Sequence, residues 1–557
     1  MWGWPLTVLL LLLNPVSSTF VGEKRTENGL HIPLHRKRTS SLERRDLVVG
    51  LGDYYDVSYN VLLKIGNAVI PLIIDTGSSD LWVVADTCQS EVCQPESSVS
   101  DARYQQASFQ SSNLDVQLFY GDSFTGTYAF GLIGKDSVNL AGSGVQNQYF
   151  GAINNTNTSV LLAGSSGIFG LGFPINSAIW VELFQANYRV NNRRGLGDPI
   201  RPPHTYNRLD FPPIAKLTGL SSGHGLNTRQ SSTTSEISTI LSSWDPYGPF
   251  ISRLISSQNL RPFITITLQR DTIDAGGNAG LMSIGELPPG VKNESLTWVP
   301  IRAYGPEQDG LAGPPDSTGE RYPIAWEVPL DDVYLDGEKL PRSTLASSDI
   351  SFSALLDTGN SLLRGPADTV QLIQQKLGGT RFSCGTPHTL TFEIGGKMFP
   401  VDPRDFITKD SVRQCGMNVV TTDTPKTGSG YLYSWSLGDP FLKSVLSSYY
   451  YGNLTYPSRD PPRLGLLSTV PSDANERYEN AVEAAGDRFP AFAEPPPDSK
   501  PTVFNTDPNG VPLAQPTGRS KGSGGNKNGA LPGPTTRVGL PSWLGSMFVA
   551  TGTYLWG

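Results

Sequence analysis

Two short stretches of this chain repeat the same pattern. Ile73-Ile74-Asp75-Thr76-Gly77-Ser78-Ser79 and Leu355-Leu356-Asp357-Thr358-Gly359-Asn360-Ser361 each end an apolar run in Asp-Thr-Gly. An apolar run closed by this triplet puts a carboxylate at a strand-to-turn corner. Two such corners in one chain can bring two carboxylates face to face. Paired carboxylates whose titrations are pushed apart supply an acid and a base side by side. A single Asp-Thr-Gly carries little weight in a glycine-rich chain, but a second copy in the same context makes coincidence a poor account.

At 557 residues the chain exceeds what one hydrophobic core serves, so two lobes are expected. It is rich in Gly, Pro, Ser and Thr and has few helical periods, which points to an all-β protein with many turns. The formal charge is −8, and no basic patch interleaved with aromatics interrupts the body, which argues against a nucleic-acid partner. Only five His are present, none in a His-Glu-x-x-His run, and no Gly-x-Ser-x-Gly has a strand-to-helix setting. Metallo- and serine-hydrolase readings are therefore disfavoured. No metal site and no cofactor are expected.

Residues 1–18 read as a secretory signal peptide: an apolar core from Leu6 to Leu13, then small residues up to a cut near Ser18. Residues 19–45 are polar and basic, with dibasic pairs Lys24-Arg25, Lys37-Arg38 and Arg44-Arg45. They read as a pro-segment cleaved after Arg45. An N-terminal lobe carrying Asp75 is expected over 46–268, and a C-terminal lobe carrying Asp357 over 269–470. Residues of about 188–246 lose their apolar period and read as a partly disordered surface insertion. From 471 to 557 the chain reads as a disordered Pro/Gly/Ser-rich tail with an apolar C-terminus. Small residues Ser523-Gly524-Gly525, a polar spacer and the final apolar stretch fit a GPI-type lipid-anchor signal, with a plain disordered tail as the alternative.

Secretion makes the four cysteines disulfide candidates. Three pairings are possible; local pairing, Cys88–Cys93 and Cys384–Cys415, keeps one bridge in each half. Asn154, Asn157, Asn293 and Asn453 open N-x-Ser/Thr sequons, candidates for surface glycans. Strands are expected over 54–65, 69–74, 263–268, 281–284, 296–301 and 463–467, with short helices around Ile251–Ile255 and Val370–Leu377. Leu114 to Ala129 reads as a hairpin with Tyr120-Gly121-Asp122-Ser123 at its tip.

Taken together these residues resemble the pepsin-like aspartic proteases, and most of all the secreted fungal ones. The likeness rests on both Asp-Thr-Gly motifs and on Ser78-Ser79-Asp80-Leu81-Trp82-Val83 after the first. It also rests on Tyr120-Gly121-Asp122, Gly167-Ile168-Phe169-Gly170-Leu171-Gly172, Trp435-Ser436-Leu437-Gly438-Asp439-Pro440-Phe441-Leu442 and the cysteine placements. It covers about residues 48–470 but neither the insertion nor the tail.

The resemblance implies a bilobal all-β fold with two barrel-like lobes and a cleft between them. It implies Asp75 and Asp357 as the catalytic pair, acting at acid pH on peptide bonds flanked by apolar residues. Gly77 and Gly359 would permit the tight turns, Thr76 and Thr358 would lock the lobes together, and Ser78 would donate to Asp75. Tyr120, Gly121 and Asp122 would form a flap, braced by Trp82, with Ile168 lining an apolar pocket. Asn360 departs from the family's usual Ser or Thr; its amide can still donate to Asp357, with a different geometry. The implied partners are protein or peptide substrates, and the family default is a monomer. The competing reading is a catalytically weak or inactive pepsin-fold binding protein.

Overall fold

The computed structural model describes residues 24–37 (except 27), 58–93, 103–121, 126–191 (except 162–163), 233–268, 280–411 (except 309), 414–427 and 430–485. Period-two burial builds the first lobe. Strand Ser58–Ile65 buries Tyr59, Val61, Leu63 and Ile65, and strand Ala68–Asp75 buries Ile70, Leu72 and Ile74. In the second strand the even positions face the core, so Asp75 leaves on the opposite side. Ser58–Ile65, Ala68–Asp75, Gly167–Gly170, Leu81–Val84, Ser143–Thr156 and Thr127–Leu140 pair in that order. Pairing of Lys64 with Asn139 and of Ile65 with Val138 closes the six strands into a barrel.

The second lobe repeats the pairing scheme around its own motif. In the first lobe, Ala68–Asp75 runs parallel to Gly167–Gly170, which is antiparallel to Leu81–Val84, which is parallel to Ser143–Thr156. In the second, Ser353–Leu356 runs parallel to Trp435–Leu437, which is antiparallel to Leu363–Gly365, which is parallel to Val419–Thr421. A strand that passes between two others in this way ends in a corner, and each corner carries one Asp-Thr-Gly. The fold is bilobal, all-β and pepsin-like.

A further antiparallel run joins the lobes: Thr297–Pro300, Arg463–Ser468, Val445–Tyr450, Phe263–Leu268, Gly280–Ile284 and Leu30–Lys37. The last of these also pairs with Ser58–Ile65, so it links this run to the first barrel. Leu30, Ile32 and Leu34 are each 1% exposed. The stretch read as a polar, basic pro-segment thus contains a core strand. Its signal is the alternation Leu30-His31-Ile32-Pro33-Leu34, obscured by the charges on either side. His31 Nε2 and Thr26 Oγ1 both engage Glu286 Oε1 at the start of this strand. Arg45 lies outside the described residues.

Two other stretches differ from the sequence reading. Within the expected insertion, Thr233–Tyr247 is a helix that buries Ile237, Ile240, Leu241 and Trp244 on one face. Trp180, in the helix Ala178–Asn191, donates from Nε1 to Ser243 Oγ at 2.7 Å. Apolar residues at i, i+3, i+4 and i+7 suffice for a docked helix even among Ser and Thr. Within the expected disordered tail, Ala474–Ala485 is a helix whose Tyr478 is fully buried and donates its hydroxyl to Cys384 O at 3.0 Å. Its Ala and Glu content favours helix, and one buried aromatic docks it. Residues 486–557, including the region read as a lipid-anchor signal, lie outside the described residues, as do 1–23. The strands and helices expected at 263–268, 281–284, 296–301, 463–467, 251–255 and 370–377 all form, to within three residues.

The cysteines pair as Cys88–Cys93 and Cys384–Cys415, with Cα–Cα distances of 6.0 and 5.2 Å. Tyr478 docks the C-terminal helix beside the second bridge. Tyr478→Ala should destabilise the protein by about 3 kcal/mol in urea titrations, the usual cost of emptying a buried aromatic site. A loss below about 0.5 kcal/mol would mean that this helix is not part of the folded core.

Candidate active site

The two corners meet through their threonines. Thr76 N–H donates to Thr358 Oγ1 (3.0 Å), and Thr358 N–H donates to Thr76 Oγ1 (3.0 Å). Each hydroxyl in turn donates across the interface, Thr76 to Leu356 O (2.8 Å) and Thr358 to Ile74 O (2.8 Å). Both threonines are buried, at 1% and 4% exposure. Four hydrogen bonds in a dry interface, with every donor and acceptor satisfied, fix the two turns with little freedom to slide.

The carboxylates lie directly above this lock. Asp75 and Asp357 are close neighbours here, near enough that the charge of Asp357 raises the Asp75 pKa. A Cβ added at Gly77 would lie 2.5 Å from Asp357 Oδ1, and one at Gly359 would lie 2.6 Å from Asp75 Oδ1. Neither glycine has a positive φ. These positions therefore need glycine for space rather than for turn conformation, because each loop makes room for the other loop's carboxylate. The expectation that glycine serves a tight turn here is corrected accordingly.

The pair is not symmetric. Asp75 accepts from Gly77 N–H on Oδ1 (2.8 Å) and from the Ser78 hydroxyl on Oδ2 (2.5 Å). Asp357 accepts from Gly359 N–H on Oδ1 (3.0 Å). Asn360 stands where Ser78 stands in the first motif, three residues after the aspartate, but it does not donate to Asp357. Its Nδ2 donates to Ser436 Oγ (3.0 Å), while its Oδ1 accepts from Leu362 N–H and Arg364 Nε (both 3.2 Å). The expectation that this amide serves Asp357 is therefore overturned. The longer side chain reaches past the carboxylate to partners on the two strands behind it. Burial first, and the neighbouring Asp357 charge second, hold the Asp75 carboxyl far above the usual carboxylate range.

The flap and its brace sit on the first lobe. Tyr120 ends strand Gln110–Tyr120, opposite Thr127 of the returning strand. Trp82 Nε1 donates to Tyr120 Oη at 2.6 Å, with ring centroids 6.3 Å apart. Gly121 has φ 85°, a left-handed turn conformation suited to glycine. Asp122 lies outside the described residues. Ile168 is fully buried in the cluster formed by Trp82, Val116, Leu118 and Ile153, against which Tyr120 packs.

Asp80 has a role that its place in the sequence does not announce. It is 6% exposed and holds the start of helix Ala178–Asn191, accepting from Ser177 Oγ (2.5 Å), Ala178 N–H (2.9 Å) and Ile179 N–H (3.2 Å). Burial raises its pKa to about 6 against those hydrogen bonds. Three bonds from the second lobe reach the segment after Gly170: Trp326 Nε1 to Leu171 O (2.9 Å), Tyr451 Oη to Leu171 O (2.7 Å) and Tyr431 Oη to Asn176 Oδ1 (2.5 Å). No spacing rule in the sequence points to these.

Of the sequon asparagines, Asn154, Asn157 and Asn293 are exposed and Asn453 is half-buried. Asn157 Oδ1 accepts from Tyr128 N–H (2.7 Å), and Asn453 Oδ1 accepts from Thr455 and Tyr456 N–H. Among the described residues no group of three His, Cys, Asp or Glu could hold a metal ion, and no helix is long and apolar enough to cross a membrane.

A barrel-and-corner fold with two interlocked Asp-Thr-Gly turns defines a class, and comparison with known sequences agrees with it. The sequence model of the family "Eukaryotic aspartyl protease" matches residues 58–193 and 271–456. The chain belongs to this pepsin-like family. It is 24% identical to mouse (Mus musculus) cathepsin E over 438 residues, 75% of this chain and 82% of the relative. It is 25% identical to pig (Sus scrofa) pepsin A over 406 residues, 71% and 78% of the two chains. It is also 25% identical to rat (Rattus norvegicus) gastricsin over 414 residues, 72% and 80%.

Asp80 gives the fold a pH dependence of known sign. Folding raises its pKa from the ordinary aspartate range to about 6, so near pH 5 the native state holds a proton that the unfolded chain has released. Its stabilisation is full below about pH 4 and is lost as pH climbs to about 6. Urea titrations at pH 4 and pH 6.5 should show Asp80→Asn losing roughly 3 kcal/mol less than the parent over this interval, since each pH unit between the unfolded and folded pKa is worth about 1.4 kcal/mol. Parallel pH profiles would refute this.

Proposed function

We propose that the protein is an aspartic endopeptidase that hydrolyses peptide bonds in acid, with Asp75 and Asp357 sharing one proton. The observation that carries this reading is the meeting of the two carboxyls from separate lobes, each set in the space left by the other loop's glycine. Two carboxylates this close do not both ionise readily, so their titrations separate and belong to the pair. The aspartic proteases are the type case of this argument.

In the singly protonated state the ionised carboxylate takes a proton from a water held between the two groups. The water oxygen bonds to the scissile carbonyl carbon as the other carboxyl gives its proton to the carbonyl oxygen, whose C=O π-bond breaks. The result is a neutral tetrahedral diol. Proton donation to the leaving nitrogen then lets the diol collapse. Gly77 and Gly359 N–H groups and the Ser78 hydroxyl keep the carboxyl planes fixed during these transfers. Tyr120, held by Trp82, closes over the bound peptide and excludes bulk water. Ile168, fully buried, backs the flap side of the cleft and does not line a pocket as expected; the preference for apolar side chains beside the scissile bond rests on the family likeness.

The leader-like N-terminus, the two disulfides and the exposed sequons support a secreted, glycosylated enzyme made with a pro-segment. A GPI-anchored cell-surface form is the variant that the C-terminal composition supports. A monomer remains the proposal for its oligomeric state. The orientation of Asn360, which gives its amide to Ser436 and not to Asp357, favours a second reading, a pepsin-fold binding protein of low activity.

The two readings separate on hydrolysis of a denatured protein from about pH 3 to 7 by the processed enzyme, with and without pepstatin. The endopeptidase reading predicts acid-optimal cleavage, blocked by pepstatin and reduced by about 10⁴-fold or more in Asp75→Asn. No cleavage by a folded, processed sample would leave the binding-protein reading.

A further inference from the structure

We infer that Arg364 is a positioning residue for the dyad, acting through Asn360 to hold the Asp357 turn and placing a permanent cation behind it. This rests on the endopeptidase reading above.

The internal repeat shows what is unusual here. Seven residues after each aspartate the chain lies on the strand that follows the motif, Leu81–Val84 in one lobe and Leu363–Gly365 in the other. In the first lobe this position is Trp82, paired in register with Ile168, and its indole braces the flap. In the second it is Arg364, paired in register with Ser436, and its guanidinium turns toward the motif. The position three residues after the aspartate changes in step: Ser78 in the first lobe, Asn360 in the second.

These substitutions form one unit. Arg364 Nε donates to Asn360 Oδ1, and Asn360 Nδ2 donates to Ser436 Oγ, the residue opposite Arg364 in the strand pair. Exposures are 5%, 5% and 0%. Asn360 is also tied to the aspartate directly, its N–H donating to Asp357 O (3.2 Å). A buried guanidinium stays charged. The amide oxygen of Asn360 reaches its Nε, where a Ser or Thr hydroxyl on the same backbone position would fall short. The amide is thereby locked with its oxygen toward Arg364 and its nitrogen toward Ser436.

Two consequences follow for the reaction. The Asp357 turn is held from behind by a charged hydrogen-bond relay through the Asn360 side chain. The cation also favours an ionised carboxylate nearby, so the dyad keeps its singly protonated form to lower pH. Of the elements packed against Leu363–Gly365, strands Trp435–Leu437 and Val419–Thr421 carry no titratable side chain, and helix Asp439–Leu442 carries the buried Asp439. At the cleft floor the charged groups are Asp357 and Asp75. Loss of Arg364 therefore leaves only acidic groups on these elements around the turn.

The test is the pH dependence of kcat and kcat/KM, on a fluorogenic peptide, for the parent, Arg364→Gln, Arg364→Lys and Ser436→Ala. Arg364→Gln should lower kcat about tenfold with KM changed less than about twofold, a loss typical of a misplaced catalytic group. The acid limb of its kcat/KM profile should move up by about half a pH unit or more, while Arg364→Lys keeps the limb in place. A folded Arg364→Gln with the parent's kcat and acid limb would overturn the inference. Where Arg364→Gln does not fold, Ser436→Ala decides, since it keeps the cation and removes only the acceptor of Asn360. A drop in kcat of about threefold or more at unchanged KM supports the relay, and no change overturns it. A parent enzyme without pepstatin-sensitive activity is a different result: it removes the endopeptidase reading and this inference with it.

Discussion

Everything that distinguishes this cleft depends on the reciprocal bonding of Thr76 and Thr358. Each threonine gives its N–H to the other's hydroxyl, and each hydroxyl then reaches a carbonyl of the opposite strand. The bonds are buried, so breaking one leaves a desolvated partner rather than a hydrated one. That cost brings two like-charged groups from separate lobes into contact, an arrangement their mutual repulsion opposes. It also dictates glycine at 77 and 359, because the carboxylates so placed occupy the volume a side chain would need.

The lobes are joined elsewhere by bonds of a different kind. Leu171 O accepts from both Trp326 and Tyr451 of the other lobe. The strand Leu30–Lys37 ties the interlobe sheet to the first barrel with three buried aliphatic side chains. A stiff base with the two carboxyls at its centre suits the proposed reaction, which needs fixed carboxyl planes. The strand ending at Tyr120 is tied to this base through Trp82. The repeat of strand pairing between the lobes accounts for two equivalent corners, and the departures from that repeat, Ser78 against Asn360 and Trp82 against Arg364, account for two inequivalent carboxylates.

Much of this is legible in the sequence. The two motifs, the strands around them, the flap hairpin and the all-β class follow from short-range patterns that local physics enforces. What is not legible depends on long-range partners. Asn360 reads as a donor to Asp357 when only its distance along the chain is visible; its direction is set by Ser436, far on in the sequence, and by Arg364 on the next strand. Leu30–Lys37 escapes notice because basic neighbours outweigh a three-residue alternation. The helices Thr233–Tyr247 and Ala474–Ala485 escape it because each docks with few apolar residues in a polar setting, and its tertiary partner, Trp180 or Cys384, lies far off in the sequence. The need for glycine in both motifs is legible, but the reason is not, since it lies in the opposite lobe.

The central claim is that Asp75 and Asp357 hold one proton between them. Counting protons by potentiometric difference titration of the processed enzyme against Asp75→Asn measures this directly. The account predicts that the parent pair keeps one proton through about pH 5, well above the range in which an isolated aspartate releases it. Release of both protons below about pH 4 would show two independent carboxylates and contradict the shared-proton dyad.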